Sequence, residues 1–184
     1  AENLHARDLH VTLLEQEEQI FAPFDLEMAA QLQQHLEDNG VSVFTHSRLE
    51  KIHCTLQTLE IHFNRQVLPM DMIILTMGVV PESDLAAQAG LTLGAQDAIV
   101  VDEHMRTTDA NIYAIGDAVQ VRHRATGQWL HEPLAVGAAR QGRVAADAIY
   151  GRKSRHTGTQ ASIAVQAFGQ IAAATGANER QLKQ

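Results

Sequence analysis

The stretch Ile112-Tyr113-Ala114-Ile115-Gly116-Asp117-Ala118 joins four apolar or aromatic residues to a glycine and an acid. The first four predict a short buried strand. Gly116, lacking a Cβ, would let a ligand approach the backbone, and Asp117 would set a carboxylate at the strand's carboxyl end. That is the end at which open α/β sheets bind ligands. A carboxylate there can accept hydrogen bonds from sugar-type hydroxyls, and such charge-assisted bonds are roughly twice as strong as neutral ones. On pattern alone the same two residues also read as a turn that merely closes the strand.

Outward from this run the periodicity alternates between helix and strand. Upstream, Ile99-Val100-Val101 predicts a short strand, Asp84 to Gly90 a short helix, and Gly78-Val79-Val80-Pro81-Glu82-Ser83 a turn. Met70 to Met77 is uniformly apolar, as expected of a strand covered on both faces. Leu49 to Leu56 and Thr58 to Phe63 alternate like neighbouring strands of a hairpin, with Val41 to Phe44 another strand. Asp25 is placed to cap a helix whose stripe is Leu26, Ala29, Ala30, Gln33 and Leu36, and Asn39-Gly40 ends it. His10 to Glu15 reads as a buried strand ending on an acid, behind a helix tail at Ala1 to Ala6. Downstream, Arg122 to Glu132 reads as a polar exposed excursion, Pro133 starts the small-residue helix Leu134 to Tyr150, and Gly151 to Thr159 is linker-like. The order is that of an α/β protein.

Composition narrows the function classes. The formal net charge is −8, from 14 basic and 22 acidic side chains mixed along the chain, so no basic stripe could neutralise a nucleic-acid backbone. No apolar run approaches the roughly 20 residues that cross a bilayer, and the polar start Ala1-Glu2-Asn3 is unlike a signal peptide; the expected location is cytoplasmic. Cys54 is the only cysteine, which rules out an internal disulfide, a Cys-x-x-Cys redox pair or a thiolate zinc cage within the chain. It shares the parity of Ile52 and Leu56, which predicts a buried structural cysteine. The ten histidines show no His-Glu-x-x-His or paired-ligand spacing, and no metal is assigned.

Thr107 followed by Ile112 to Ala118 resembles the second FAD fingerprint of the pyridine nucleotide-disulfide oxidoreductase family. The flanks match it as well: Gly78-Val79-Val80-Pro81, Leu85-Ala86, Ala89-Gly90-Leu91, Ile99 to Asp102 and Met105-Arg106-Thr107 stand in the family's order. The resemblance implies that Gly116, Asp117 and Ala118 contact FAD, with Asp117 on the ribityl chain. It also implies that the helix start Pro133-Leu134-Ala135 faces the pyrimidine side of the flavin, where the helix dipole favours negative charge. Small residues Ala135, Gly137, Ala138 and Ala139 would permit close approach of a ligand or another backbone. Glu15 then corresponds to the acid that binds the adenosine ribose of the nicotinamide dinucleotide, which favours NADH over NADPH because an acid repels a 2′-phosphate. Gly78 would let that dinucleotide approach the backbone.

The implied architecture is a partial Rossmann-like nicotinamide-binding domain at residues 1–77, the C-terminal part of an FAD-binding domain at 78–151, and a linker with the start of a dimerisation domain at 152–184. Gly158-Thr159-Gln160 to Phe168 and Ala173 to Glu179 resemble the branch of coenzyme A-disulfide reductases, NADH oxidases and peroxidases, and persulfide reductases. Gly169-Gln170 departs from that branch's pattern. The glycine loops and the redox cysteine are not in the sequence, so the chain reads as a fragment, inactive alone, and no catalytic residue is assigned. The parent would be a homodimer passing hydride from NADH through FAD to a thiol, disulfide, persulfide or oxygen species. The alternative is a non-catalytic α/β module that keeps the fold without the redox chemistry.

Overall fold

The computed structural model describes residues 1–56 and 58–183. In chain order the elements are α1 (Glu2–His5), β1 (Thr12–Leu14), α2 (Leu26–Asp38), β2 (Ser42–Phe44), β3 (Leu49–Cys54), β4 (Leu59–Phe63), β5 (Gln66–Met70), α3 (Asp84–Gln88), β6 (Gln120–Arg122), β7 (Trp129–His131), α4 (Ala135–Ile149), β8 (Ile163–Ala167), β9 (Gln170–Ala174) and α5 (Glu179–Leu182). They fall into two compact units. The first comprises Ala1–Thr76, Ile163–Ala174 and Asn178–Gln184; the second comprises Met77–Ser162 and Thr175–Ala177.

In the first unit β1 and β2 pair in parallel, Leu13 opposite Val43, and α2 is the crossover between them. Helix α2 buries Ala29, Leu32 and Leu36. Leu26, expected on that stripe, is 50% exposed, because the buried face runs through Leu32 rather than through Ala30 and Gln33. Around this face pack Phe21, Phe24, Ile163, Val165 and Ala172 at one end and Ile20, Val41, Leu13 and Val43 at the other. Asp25 does not cap α2 through its side chain. Its Oδ1 instead accepts from the Glu179 N–H at 2.8 Å, so α5 competes for the carboxylate.

The expected hairpin is present as β3–β4, extended by β5 into an antiparallel meander. One face is apolar and anchored by Phe63, fully buried and edge-on to Phe44 at 5.3 Å between ring centroids. Cys54 corrects the sequence reading. It lies on the face of Ile61 and Phe63 by register but is exposed, as is Leu56 beyond it. Alternation fixes which face a side chain takes; it does not supply the layer that covers that face.

Met70 to Met77 is a second correction. Regular pairing ends at Met70, and Met72, Ile74, Leu75 and Met77 are each more than half exposed. The run has strand composition, but beyond Met70 no described strand pairs with it.

The second unit packs Ile99, Val101, Met105, Val119 and Val121 against Val144 and Ala145 of α4. The strands expected at Ile99–Val101 and Ile112–Ile115 are extended segments held by single bridges, Ile99 to Leu93 and to Val119, and Tyr113 to Arg106. Ile112 and Ile115 are 38% and 44% exposed, so the buried strand expected there is only half covered. The supposed excursion from Arg122 to Glu132 is the turn and second strand of the hairpin β6–β7, closed by the Gly127 N–H on the His123 carbonyl at 2.8 Å. His123 itself is buried, bridged to Thr159 and with its Nδ1 3.1 Å from the Thr126 hydroxyl.

Candidate cofactor-contacting site

Gly116–Ala118 forms one tight turn at the end of the extended Ile112–Ile115 segment. Gly116 has φ +79°, a conformation that costs an L side chain energy and glycine almost nothing. Its N–H donates to Oε1 of Gln141 at 2.6 Å, and Gln141 is 2% exposed. A Cβ on Gly116 would reach the Ala138 methyl at 3.8 Å, and one on Gly142 would reach Ile115 Cδ1 at 3.5 Å. The small-residue face of α4 therefore seats a backbone, through Ala138, Gln141 and Gly142 rather than through the Ala135–Ala139 set alone.

Asp117 is exposed, and among the described residues its carboxylate takes part in no hydrogen bond or ion pair. Its carbonyl accepts from His131 Nε2 at 2.6 Å; because a carbonyl only accepts, Nε2 carries the proton. The turn is thus clamped by Gln141 at one end and His131 at the middle, while the carboxylate stays free. Ala118 turns inward against the core, and its carbonyl accepts from the Ile99 N–H at 2.8 Å. Thr107 is buried and structural: its N–H donates to Ile112 O at 2.9 Å, and its hydroxyl closes a local turn with Asp109. Nearby, burial would raise the Asp102 carboxyl, but the N–H groups of Arg106 and His104 and their charges outweigh it and hold the pKa below the ordinary carboxylate value.

Pro133 stands one residue before the N-cap, Leu134, and Ala135 opens the fifteen-residue helix α4. The Leu134 carbonyl accepts from the Ala138 N–H at 3.0 Å, the first helical bond. Leu134, Ala135 and Val136 are exposed, so the free N–H groups of the first turn and the positive end of the dipole are accessible. Pro133, Leu134 and Ala135 thus lie in the same unit as Gly116 to Ala118, linked to them through α4 and His131.

Gly78 is the second residue of the second unit; it is exposed at φ +83° with no atom within 4 Å of a built Cβ, so its backbone and not crowding calls for glycine. Glu15 belongs to the first unit, just past β1, where its N–H donates to Phe44 O at 2.8 Å. Its Oε1 accepts from the Glu17 N–H at 3.0 Å. Sequence reasoning missed Gln141 and His131. The available signal was a lone amide in an alanine- and glycine-rich helix; His131 had none, since its role depends on the hairpin.

The sequence pattern of the pyridine nucleotide-disulphide oxidoreductase family matches residues 1–142. The chain belongs to that family. An NADH oxidase of Methanocaldococcus jannaschii is 36% identical over 156 residues, which cover 84% of this chain and 35% of that protein. The crystal structure of reduced CoADR-RHD of Bacillus anthracis is 38% identical and superposes with a TM-score of 0.94, covering 99% of this chain and 33% of that one. An NAD-dependent persulfide reductase of A. fulgidus is 35% identical at a TM-score of 0.95, covering 99% of this chain and 34% of that one. The chain therefore spans about a third of the length of these family members.

Among the described residues no helix is long and apolar enough to cross a membrane.

Proposed function

We propose that this chain is part of an NADH-oxidising flavoprotein, in which Gly116, Asp117 and Ala118 and the start of α4 at Pro133, Leu134 and Ala135 hold FAD. The observation that carries the reading is the unpartnered Asp117 carboxylate on a turn whose backbone is clamped on both sides. An unpartnered acceptor on a held backbone suits polyol hydroxyls, because no partner has to be displaced from it. The exposed first turn of α4 supplies N–H donors and positive potential for an electron-rich ring edge. Held there, FAD would supply the redox chemistry between NADH and a thiol, disulfide, persulfide or oxygen acceptor. Glu15, with one carboxylate oxygen held by the Glu17 N–H, presents the other toward a ribose diol and disfavours a 2′-phosphate. Gly78 gives the dinucleotide a side-chain-free approach.

The parent is proposed to be a cytoplasmic homodimer with small-molecule acceptors and no nucleic-acid partner. Its proposed domains are residues 1–77 for nicotinamide, 78–151 for flavin, and 152–184 as linker and start of a dimerisation domain. The net charge of −8 and the exposed apolar run from Met72 to Val80 support an apolar rather than polyanionic neighbour.

The test is a graft of this chain in place of the matching third of the Methanocaldococcus NADH oxidase. We expect the graft to retain stoichiometric flavin absorbance and NADH turnover, and Asp117→Ala in it to release flavin. The isolated chain should bind no stoichiometric flavin and turn over no NADH. A folded graft without flavin, or Asp117→Ala with undiminished flavin content, would overturn the reading.

A further inference from the structure

Helical and short-range spacing conceals a constellation that only strand register assembles. His53 of β3 stands directly opposite Glu60 of β4, and His62 is two residues further along the same strand. Side chains alternate across a sheet, so all three project from one face, opposite to the face carrying Ile61, Phe63 and Cys54. His53 Nδ1 lies 3.6 Å and His62 Nε2 lies 3.8 Å from the same oxygen, Glu60 Oε2. All three ligand atoms fall within 4.8 Å of one another.

These separations are longer than hydrogen bonds and match a different geometry. An ion holding nitrogen and oxygen ligands tetrahedrally at about 2.0–2.2 Å sets them about 3.4 Å apart. His62 Nε2 is buried and has no hydrogen-bond partner among the described residues. A buried ring nitrogen normally finds a partner, and here Glu60 Oε2 and the His53 ring nitrogen lie within 4.8 Å of it. We propose that His53, Glu60 and His62 form a binding site for a divalent transition-metal ion of the zinc class.

Two imidazoles and one carboxylate are borderline donors, which select zinc, cobalt or nickel over the hard ions calcium and magnesium. Three protein ligands leave a fourth position for water or another donor. The ion would clip β3 to β4 at a partly exposed end of the meander, where the hairpin lacks a covering layer. Lys51 shares this face, paired with His62 in the register, and opposes a dication; its flexible stem allows the ammonium to swing into solvent. Cys54 lies on the other face and is not a ligand in this arrangement.

The experiment uses the full chain carrying Cys54→Ser, so that an exposed thiol cannot compete, stripped with chelator and titrated with Co2+ and then Zn2+. We expect one equivalent of Co2+ to bind with ligand-field absorption of a four-coordinate site, and Zn2+ to displace it. His53→Ala and His62→Ala should each weaken binding by more than about tenfold. His10→Ala, an exposed histidine outside the cluster, should leave it unchanged. In the otherwise unsubstituted chain, Zn2+ should shift the ring resonances of His53 and His62 alone, a readout that needs no ligand variant to fold. Absence of saturable one-equivalent binding, unchanged affinity in both histidine variants, resonance shifts confined to other histidines, or loss of binding on Cys54→Ser alone would each overturn the proposal.

Discussion

The meander β3–β5 and the run Met72–Val80 have similar strand-forming composition and opposite fates. In the meander every strand finds a hydrogen-bonding neighbour, and Ile61 and Phe63 are buried. In the following run Met72, Ile74, Leu75, Met77, Val79 and Val80 are all more than half exposed, with no ladder. The segment Ile112–Ile115 lies between these extremes, bridged once and half covered. Apolar composition makes a strand possible; a neighbour makes it one. The run is thus exposed on both sides of the boundary between the two units, in Met72, Ile74 and Leu75 of the first and Met77, Val79 and Val80 of the second.

The contrast is broken most severely at Phe63. Phe63→Ala removes a fully buried ring that contacts Phe44 and should destabilise the first unit by about 3–5 kcal/mol. Urea unfolding followed by far-UV circular dichroism measures this, and a loss below about 1 kcal/mol would mean that the meander is not held by its core face. Gln141→Ala should cost about 1–3 kcal/mol by leaving the Gly116 N–H without its partner. Trp129, the single tryptophan and part of the second unit, reports that loss by fluorescence.

A smaller effect concerns pH in the second unit. Burial, then the charge of Arg140, lowers the pKa of His156. The unfolded chain therefore binds this proton more readily than the folded one. The stability contributed by neutral His156 is present above the ordinary imidazole value of about 6.5 and is lost as pH falls below it toward the depressed folded value. His156→Gln should flatten the decline in Trp129-monitored stability between about pH 7 and 5. Asp102, also lowered, acts at more acid pH: its contribution is present above about 3.9 and fades as pH falls through the folded value.

Least of all should change on Leu75→Ser, within about 0.5 kcal/mol, since the side chain is already exposed. Binding of an apolar dye should nevertheless fall; unchanged dye binding would place the sticky surface elsewhere.

The sequence made some elements legible because their signals are local. Helix α2 stops where Asn39-Gly40 said it would, α4 begins beside Pro133, and the β3–β4 alternation paired as expected. Three of the departures concern cover. The patterns of Cys54, Met70–Met77 and Ile112–Ile115 suit burial, yet Cys54, most of Met72–Met77, Ile112 and Ile115 are exposed. At the candidate site, Gly116 and Asp117 were legible as a turn at the end of an extended segment, whereas the clamps Gln141 and His131 come from 25 and 14 residues away.

Sequence by itself determined the α/β class, the family and the Gly116-Asp117 turn, because those rest on residue order and on what glycine and a carboxylate can do locally. Only the tertiary structure decided that the Asp117 carboxylate is free while its backbone is held, and that His53, Glu60 and His62 converge. Both depend on which distant segments hydrogen-bond to one another, a choice set by strand register and helix packing that no spacing along the chain encodes.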